Sequence, residues 1–500
     1  MKTALKITNP IKKLETMRPT FINYLTFAFL ILFAVTGCKK GAEDGTTGNF
    51  NKSTSAFTDT GAPAATAVLP NVIPSGFTFA ANTTYLIDGP TFVPSGVTLT
   101  IPAGTFIKGK KTSTSGKPSF LLVTKGGKLI ANGTQTAPIR FTSDQPACSR
   151  AAGDWAGVVL LGKGITNVAL NTIIEGVDAT MVPANQSTIT YPASFEYGGS
   201  DEDDLAGQSS LKYIRIEFAG AILTADKELN GLTLGAVGAS TTLSNIEVSY
   251  GADDAFEFFG GSVNAKYLIS YANNDDDFDF DQGYQGSIQF ALGVKLACAS
   301  GYSTNPNGIE CNNVTSPVTT ISTTRITHPI LSNFTLLGHS ATSGPIGSGS
   351  AGIGALFRAS TEFTFVNFLI GGFGVGVNYS AAATSPAPVY RNGAIQAFTT
   401  PSTPAAPASV LTQTGGVPND LLALNNPFNT TCSCTVPLTP NFTTSDPISG
   451  GTLPAVTHAG GVFPAGTLDA TGLSFQGAMG STRWDLGTYW TSYNPQGNPN

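Results

Sequence analysis

Charged residues are scarce in this chain of 500 residues, since Asp, Glu, Lys and Arg together make up only 12% of it. Soluble domains carry about 25% of these residues, and coiled coils and helical bundles need many of them at helical period. The shortage therefore excludes those architectures. It does not indicate disorder, because 41% of the residues are hydrophobic and the net charge is only −6.

Histidine and basic residues are also in short supply, with 3 His, and with 26 Lys and Arg against 32 Asp and Glu. An excess of carboxylates repels nucleic-acid phosphates, so we expect no nucleic-acid partner. The histidines, His328, His339 and His458, lie far apart in sequence and form no Ser-His-Asp pattern. The cysteines and histidines also lack the spacing of a zinc site.

The N-terminal segment has the pattern of an export signal. Lys12, Lys13 and Arg18 precede the apolar stretch 21–35, and Cys38 follows in the sequence Val-Thr-Gly-Cys. The alternative is a transmembrane helix, which needs about 20 apolar residues. The uninterrupted apolar run here is shorter than that, so the pattern favours an exported protein.

The Val-Thr-Gly-Cys sequence resembles a bacterial lipobox. It predicts a lipoprotein signal peptide over residues 1–37 and attachment of a diacylglycerol to the thiol of Cys38. Cleavage would remove five basic residues and one acid, so the mature chain would carry −6 minus 4, or −10. We expect the protein to be anchored by lipid in the outer membrane or at the cell surface. A start at Met17 would give the signal more ordinary proportions.

Short apolar segments broken by Gly, Asn and Asp dominate the chain from residue 69, and helical periodicity is nearly absent. The alternation at residues 255–258 recurs at residues 277–280, an offset of 22, and the Ser-Tyr pair at 249 recurs at 270, an offset of 21. This period, with three short strands, is typical of one coil of a right-handed parallel β-helix. The sequence therefore predicts an all-β solenoid, with a sheet sandwich and a propeller as alternatives.

Composition divides the chain into five segments. We predict the signal peptide over 1–37, a flexible tether over 38–68, the parallel β-helix over 69–397, a Pro/Thr-rich irregular excursion over 398–440 and a C-terminal cap over 441–500. The last segment is rich in aromatic residues, and a solenoid needs a cap to cover its open strand edges. A platform that stacks on carbohydrate rings is the alternative interpretation of these aromatic residues.

Five cysteines remain after Cys38, and an exported protein can keep disulfides. Cys298 and Cys311 flank a loop rich in Gly, Ser, Asn and Pro, and we predict that they pair. The odd number leaves one thiol free or paired elsewhere.

Several runs resemble a group of exported lipoproteins common in Bacteroidota. They are GGKLIANGTQTAPIRFTS (126–143), GDWAGVVLLG (153–162), LNGLTLGAVG (229–238), SYGADDAFEFFGG (249–261), DDDFDFDQGYQGSIQF (275–290) and the closing QGAMGSTRWDLGTYWTSYNPQ (476–496). The resemblance implies a pectate-lyase-like β-helix at the cell envelope. It implies no particular activity.

A dense group of carboxylates is the strongest local signal for a site. The group comprises Asp253, Asp254, Glu257, Asp275, Asp276, Asp277, Asp279 and Asp281. The 22-residue offset stacks Asp253 beside Asp275. It likewise stacks Glu257 beside Asp279, in coils about 4.8 Å apart. Alternation along the strands points the neighbouring phenylalanines inward and directs Glu257, Asp277, Asp279 and Asp281 to solvent.

Stacked carboxylates repel each other, and a bound Ca²⁺ ion, which takes about 6–8 oxygen ligands, would offset that repulsion. We therefore predict a divalent-cation site, with Ca²⁺ as the expected ion. Its predicted ligands are Asp253, Asp254, Glu257, Asp275, Asp277, Asp279 and Asp281. Two alternatives stay open: solvated carboxylates that cap turns, and catalytic carboxylates that act as general acid and as nucleophile or base.

These observations favour a non-enzymatic envelope module that binds a divalent cation and a polysaccharide or protein partner. The alternative is a polysaccharide lyase or glycoside hydrolase that uses the same carboxylates. A lyase needs a basic group beside the cation, and Lys266 and Arg215 are the nearest candidates in the sequence. A groove that combines acids, basic groups and exposed aromatic rings would favour the enzyme, whereas a flat acidic face would favour binding.

Overall fold

A computed structural model of the protein describes most of the chain after residue 60. The described ranges are 61–224, 227–296, 301–313, 325–338, 352–359, 361–379 and 389–415, with short stretches between 421 and 497. The predicted signal peptide, Cys38 and Cys298 lie outside them. Within these ranges no helix has the length and hydropathy needed to cross a membrane.

The early coils are built from short strands, one for each side of a three-sided coil. They are β1 (Ala65–Val68), β2 (Thr83–Ile87), β3 (Pro90–Val93), β4 (Thr98–Ile101), β5 (Phe106–Gly109), β6 (Phe120–Val123), β7 (Lys128–Asn132), β8 (Ile139–Ser143) and β9 (Gly157–Leu161). An insertion follows, with the antiparallel pair β10 (Thr172–Ile173) and β11 (Glu196–Tyr197) and 3₁₀ turns at Ala179–Met181, Ala193–Phe195 and Leu205–Gly207.

The later coils have longer strands. They are β12 (Ser210–Glu217), β13 (Ile222–Thr224), β14 (Lys227–Glu228), β15 (Leu232–Gly235), β16 (Thr242–Ser249), β17 (Phe256–Phe259), β18 (Asn264–Tyr271), β19 (Phe278–Asp281), β20 (Ser287–Val294), β21 (Ile309–Cys311), β22 (Ile330–Leu337), β23 (Ile353–Phe357), β24 (Thr364–Tyr379), β25 (Val389–Thr403) and β26 (Val410–Thr414). A short antiparallel pair, β27 (Thr457–His458) and β28 (Gly461–Val462), and a 3₁₀ turn at Pro495–Gly497 follow.

Parallel pairing joins 22 of these strands into one continuous sheet with three faces. Face A contains β1, β2, β5 and β8 and the second halves of β12, β16, β18, β20 and β22. Face B contains β4, β7 and the first halves of the same long strands. Face C contains β3, β6, β9, β15, β17, β19, β21 and β23. The fold is the predicted right-handed parallel β-helix, and the sandwich and the propeller are excluded.

The long strands β12, β16, β18, β20, β22, β24 and β25 each bend between a face B part and a face A part, and β24 and β25 bend again to continue into face C. The residue at the bend between faces B and A has a positive φ in every such strand: Tyr213, Asn245, Tyr267, Phe290, Asn333, Asn367 and Asn392. Asparagine tolerates this left-handed conformation better than most residues, which explains its recurrence at the bend. The bends therefore stack in one column along the β-helix.

The core is a column of apolar side chains that every coil shares. On face C, Phe256 stacks on Phe278 with ring centroids 5.4 Å apart, and Phe258 stacks on Phe280 at 5.1 Å. All four rings are buried, as the alternation in the sequence predicts. Their neighbours Glu257 and Asp279 are consequently turned to the outer side of the sheet.

The β-helix is longer than predicted at both ends. β1 begins at Ala65, inside the segment predicted to be tether, and it pairs with β2. At the other end β25 continues to Thr403 and β26 covers Val410–Thr414, so residues 398–403 and 410–414 belong to strands and not to an irregular excursion. The Thr- and Pro-rich composition of this region predicts irregular structure. Threonine is β-branched and also suits a strand, so the composition does not exclude strands here.

The sequence predicts that the C-terminal segment caps the end of the β-helix. The described part of this tail instead lies along the side of the β-helix. Ala478 donates a backbone hydrogen bond to Thr335 Oγ1 in β22 (2.8 Å), and Ser492 donates one to Glu247 Oε2 in β16 (2.8 Å). The tail thus runs back from late coils to early ones. Trp490 is buried against the apolar outer side of face A, which is why the aromatic residues occur here.

The disulfide prediction is wrong. Cys311 is a free, buried cysteine, because alternation in β21 turns its side chain into the core, away from the loop that precedes it. The disulfide instead joins Cys148, after β8, to Cys434, which is 286 residues later in the chain. Hydrogen bonds between Arg150 and Pro495 and between Cys148 and Gln496 lie beside it.

Candidate functional site

A cavity of about 360 Å³ lies on the outer side of face C, where turns lead into β17, β19 and β21. Nine of its lining residues are acidic: Glu175, Glu228, Asp253, Asp254, Glu257, Asp275, Asp276, Asp279 and Glu310. Arg358 is the one basic side chain among the described lining residues, which include no aromatic side chain. We call this group of residues the acidic cavity.

The floor of the acidic cavity is a ladder of carboxylates on three consecutive coils. The strand register pairs Glu257 with Asp279 and Asp279 with Glu310. Each acid sits between two inward-facing apolar residues, so its side chain is on the outer side of face C. The ladder follows directly from the apolar–acidic–apolar pattern that the three coils share.

A second ladder occupies the turns before these strands. Asp254 Oδ1 accepts a hydrogen bond from the backbone N–H of Asp276 (2.8 Å). Asp276 Oδ1 in turn accepts one from the N–H of Asn307 (2.6 Å), and Asn307 Oδ1 accepts one from Ile353 (3.1 Å). Each of these side chains therefore fixes the turn of the next coil.

Inserted segments form the walls of the acidic cavity. Asn230 donates a hydrogen bond from Nδ2 to Glu257 Oε2, and Ser303 Oγ donates one to Asp275 Oδ1 (2.6 Å). Glu175, from the insertion after β9, and Glu228, at the end of β14, complete the lining on this side. These walls convert what would be an open sheet face into a concave site.

The electrostatics of the acidic cavity are dominated by burial of like charges. Burial, with the neighbouring Asp275 carboxylate, raises the pKa of Asp253 to about 8. Burial is also the largest cause, ahead of neighbouring carboxylates, that raises the pKa values of Asp254, Glu257 and Asp279 well above their ordinary range. The site therefore favours either bound protons or bound cations over free carboxylates.

Three groups of carboxylates have ligand atoms close enough, within 4.8 Å of one another, to hold a metal ion. These triads are Asp253–Asp254–Asp275, Asp254–Glu257–Asp279 and Asp276–Asp279–Glu310. Asp254 and Asp279 each belong to two triads, so the three groups form one continuous row. Asp279 Oδ1 is buried and accepts no hydrogen bond from the described residues, which leaves it free to coordinate a cation.

The sequence profile of the pectate-lyase-like β-helix domain matches residues 71–414, which is more than half of the chain. The chain belongs to this family. Its matched region ends at the last residue of β26, so the profile spans the described coils from β2 onward. Membership suggests a carbohydrate-related or binding role. No curated protein and no solved structure matches the chain.

In this β-helix domain, five of the seven predicted ligands line the acidic cavity: Asp253, Asp254, Glu257, Asp275 and Asp279. The register also confirms the predicted stacking of Glu257 on Asp279. The expected exposure of Glu257 is wrong, because the inserted walls cover its side chain. Glu257, which was expected to face solvent, is only 8% exposed.

The other two predicted ligands, Asp277 and Asp281, lie outside the lining of the acidic cavity. Asp277 is fully buried and pairs with the equally buried Lys295, at 3.1 Å between Oδ1 and Nζ. Lys295 also donates hydrogen bonds to the carbonyl oxygens of Asn273 and Asp275. Asp277 therefore holds the turn that presents Asp275. Asp281 accepts a hydrogen bond from the N–H of Gln282 (2.6 Å).

Neither basic residue suggested by the sequence lines the acidic cavity. Arg215 lies on face A and pairs with Glu217 (3.2 Å), and Lys266 lies in the face B half of β18. The basic residue at the site is Arg358, which follows β23 and forms a salt bridge with Glu310. Nothing in the sequence around Arg358 marks it, because it comes 48 residues after its partner.

Sequence reasoning also missed Glu310, although a signal for it exists. Ile309-Glu310-Cys311 repeats the apolar–acidic–apolar pattern of the two preceding coils. The segment between β20 and β21 is longer than those before β17 and β19, and this hid the repeat. Glu175 and Glu228 come from insertions between coils, where no repeat pattern applies.

Proposed function

We propose that the acidic cavity binds divalent cations and that Ca²⁺ is the favoured ion. The observation that carries the proposal is the continuous row of three carboxylate triads, joined through Asp254 and Asp279. Nine carboxyl groups face one guanidinium in a concave, half-buried site, so the site can hold several positive charges in place of its protons. Bound cations remove both the repulsion between carboxylates and the cost of burying them.

The donor set favours a hard cation. The described lining residues offer carboxylate, amide and hydroxyl oxygens, from Asp, Glu, Asn, Ser and Thr, and include no histidine or cysteine. Ca²⁺ takes about 6–8 oxygen ligands in flexible geometry, whereas Zn²⁺ and Cu²⁺ prefer nitrogen and sulfur. The crowding of carboxylates suits Ca²⁺ better than Mg²⁺, which keeps several of its own waters.

The cation site can be tested with titration calorimetry on the purified protein. We expect Ca²⁺ to bind and to raise the melting temperature above its value in EDTA. The double variant Asp254→Asn with Asp279→Asn removes the residues that join the triads, and it should weaken Ca²⁺ binding at least about tenfold.

The matched control is Asp203→Asn, which neutralises an exposed carboxylate outside the acidic cavity. It should bind Ca²⁺ as the wild type does. The proposal fails if millimolar Ca²⁺ gives neither binding heat nor a shift in melting temperature, or if the control loses as much affinity as the double variant.

In the cell, we propose a non-enzymatic module of an exported lipoprotein, tied to the outer membrane or cell surface by lipid on Cys38. The Val-Thr-Gly-Cys sequence at residues 35–38 supports the anchor, and the resemblance to Bacteroidota lipoproteins supports the location. A polysaccharide or envelope protein is the proposed partner. A Cys38→Ser variant that stays in the membrane fraction and still incorporates labelled fatty acid would exclude this anchor.

A polysaccharide-cleaving enzyme is the second candidate, and one observation favours it. The guanidinium of Arg358 shares a concave site with carboxylates whose pKa values are raised, as a lyase or hydrolase requires. The lack of aromatic rings among the described lining residues favours the binding module. Incubation with acidic and neutral polysaccharides in the presence of Ca²⁺ decides between them, because only the enzyme releases new reducing ends or unsaturated sugars.

A further inference from the structure

Arg358 stands at one end of the row of triads. Its Nη2 atom bonds to Glu310 Oε1, and its Nε donates to Asn312 Oδ1 at 3.2 Å. The side chain of Arg358 is 49% exposed, whereas that of Glu310 is 14% exposed. The guanidinium therefore sits at the mouth of the acidic cavity, with open solvent on its other side.

Both carboxylate oxygens of Glu310 accept hydrogen bonds in this arrangement, and Oε1 also faces the positive charge of Arg358. Oε1 is bound by Arg358 and by Asn312 Nδ2 (3.3 Å), and Oε2 accepts a hydrogen bond from Asn307 Nδ2 (3.2 Å). Yet Glu310 also belongs to the third triad, with Asp276 and Asp279. A metal ion at that triad would lie beside a carboxylate that Arg358 already neutralises, so the two positive charges compete for Glu310.

The other two triads differ in this respect. Across the described part of the chain, no salt bridge reaches the carboxylates of Asp253, Asp254, Glu257 or Asp275, and the hydrogen-bond donors on them are neutral. Asp279 belongs to both the second and the third triad, and its Oδ1 atom is buried without a hydrogen-bond donor among the described residues. A cation can enter the first two triads without breaking an ion pair.

We propose that Arg358 is an internal cation that occupies the third triad and competes with a metal ion for Glu310. The acidic cavity then loads in a fixed order. The first two triads fill while Arg358 stays on Glu310, and the third fills only after the guanidinium swings into solvent. Arg358 thereby sets the cation concentration at which the last step occurs, and this inference rests on the proposed cation site.

The exposure of Arg358 makes the exchange physically reasonable. A half-exposed salt bridge contributes little net stability, since water solvates the guanidinium as soon as it leaves. A divalent ion offers Glu310 twice the charge, and it also coordinates Asp276 and Asp279, which Arg358 does not contact in a salt bridge. The carboxylates thus gain more from the ion than from the arginine once free Ca²⁺ is high enough.

The test is a Ca²⁺ titration of the purified protein by calorimetry, with equilibrium dialysis to count bound ions. The variant Arg358→Gln removes the competing charge and keeps a polar side chain at the mouth. We expect its weakest Ca²⁺ step to shift to a concentration at least about tenfold lower than in the wild type. Arg358→Lys keeps the charge and should stay close to the wild type.

Two further variants sharpen the result. Lys266→Gln removes the same charge at a distance from the acidic cavity, so it controls for net charge and should leave every step unchanged. Glu310→Gln removes the contested ligand, so the stronger Ca²⁺ steps should persist and the weakest should disappear. A cooperative melting transition of each variant in EDTA shows that it is folded.

The outcomes separate this inference from the proposed function. If the wild type binds no Ca²⁺, both are overturned. If the wild type binds Ca²⁺ and Arg358→Gln binds it equally or more weakly, the cation site stands and the competition is overturned. The same holds if Lys266→Gln shifts the weakest step as far as Arg358→Gln does.

Discussion

Asp254 and Asp276 each serve the fold and the site with one carboxylate. One oxygen accepts a backbone hydrogen bond from the turn of the next coil, while the carboxylate also belongs to a triad of the acidic cavity. From the sequence, turn capping and cation binding are alternative roles for these carboxylates. At these two residues the capping contacts instead fix the carboxylates in position for a cation.

The raised pKa values predict how stability depends on pH when no cation is bound. The pKa of Asp253 rises from 3.8 to about 8, through burial and the neighbouring Asp275. Between these values the folded state keeps a proton that the unfolded state has released, so the free energy of unfolding falls as pH rises. In EDTA we expect a melting temperature that is lower at pH 8 than at about pH 5.

Calcium should reverse this trend, because it binds the deprotonated carboxylates and competes with protons. The rise in melting temperature with Ca²⁺ should be large at about pH 8 and small at about pH 5. The Asp254→Asn, Asp279→Asn variant serves as the control and should show a flatter pH dependence in EDTA. A wild-type melting temperature that increases with pH in EDTA would contradict the assignment.

Among the elements, the repeat in β16–β19 was readable from the sequence because each coil here has the same length. The 22-residue offset is the register of β17 with β19. The Ser-Tyr match at an offset of 21 is misleading, since Ser249 pairs with Tyr271. Matching similar residues therefore gives an offset that is one residue too short. The hydrogen-bonded register between β16 and β18 keeps the offset of 22 along the whole strand.

The repeat pattern does not predict where the inserted loops lie. The repeat fixes Glu257 and Asp279 on the outer side of face C, but it contains no information on which loops fold over them. Glu175, Glu228 and Arg358 reach the acidic cavity from separate coils or insertions, and their positions depend on packing between loops. The sequence therefore predicted the floor of the site and not its walls.

The bend column gives a prediction for the long strands. Asn245 lies at the bend of β16 with φ of 56°, a conformation that costs β-branched residues most. We expect Asn245→Gly to change stability little and Asn245→Val to destabilise the protein by about 1–2 kcal/mol, measured by chemical denaturation.

Thr242→Val is the matched control, since it places the same side chain on an exposed, extended position of β16. It should be nearly neutral, because valine suits a strand. If valine at position 245 is tolerated as well as at position 242, the left-handed bend does not constrain the residue, and the asparagines of this column have another role.

At the scale of the whole molecule, the tail completes the β-helix laterally. The outer side of face A is apolar over Ile269, Leu292, Leu337 and Leu369, and it needs a cover. The tail supplies Trp490 and Tyr493, and Tyr493 donates a hydrogen bond to the buried carboxylate of Asp485 (2.6 Å). A β-helix that exposes a broad apolar flank would associate with other molecules, so the tail keeps this face within the chain.

The Cys148–Cys434 disulfide holds this tail, and its removal should loosen the tail before the coils. It closes a loop of 286 residues, and we expect its reduction to cost about 2–5 kcal/mol of stability. Trypsin should then cut faster at Arg483, whose guanidinium is held by Asp485 in the oxidised protein. Limited proteolysis with and without reductant, read by mass spectrometry, measures this directly.

Two variants decide whether this disulfide is responsible. Trypsin should cut the Cys434→Ser variant rapidly at Arg483, at the same rate with and without reductant. Cys311→Ala removes the free core thiol, so it should keep the wild-type response to reductant. If reductant instead leaves Arg483 protected in the wild type, packing of Trp490 and Tyr493 alone fixes the tail, and the disulfide secures only the segment around Cys434.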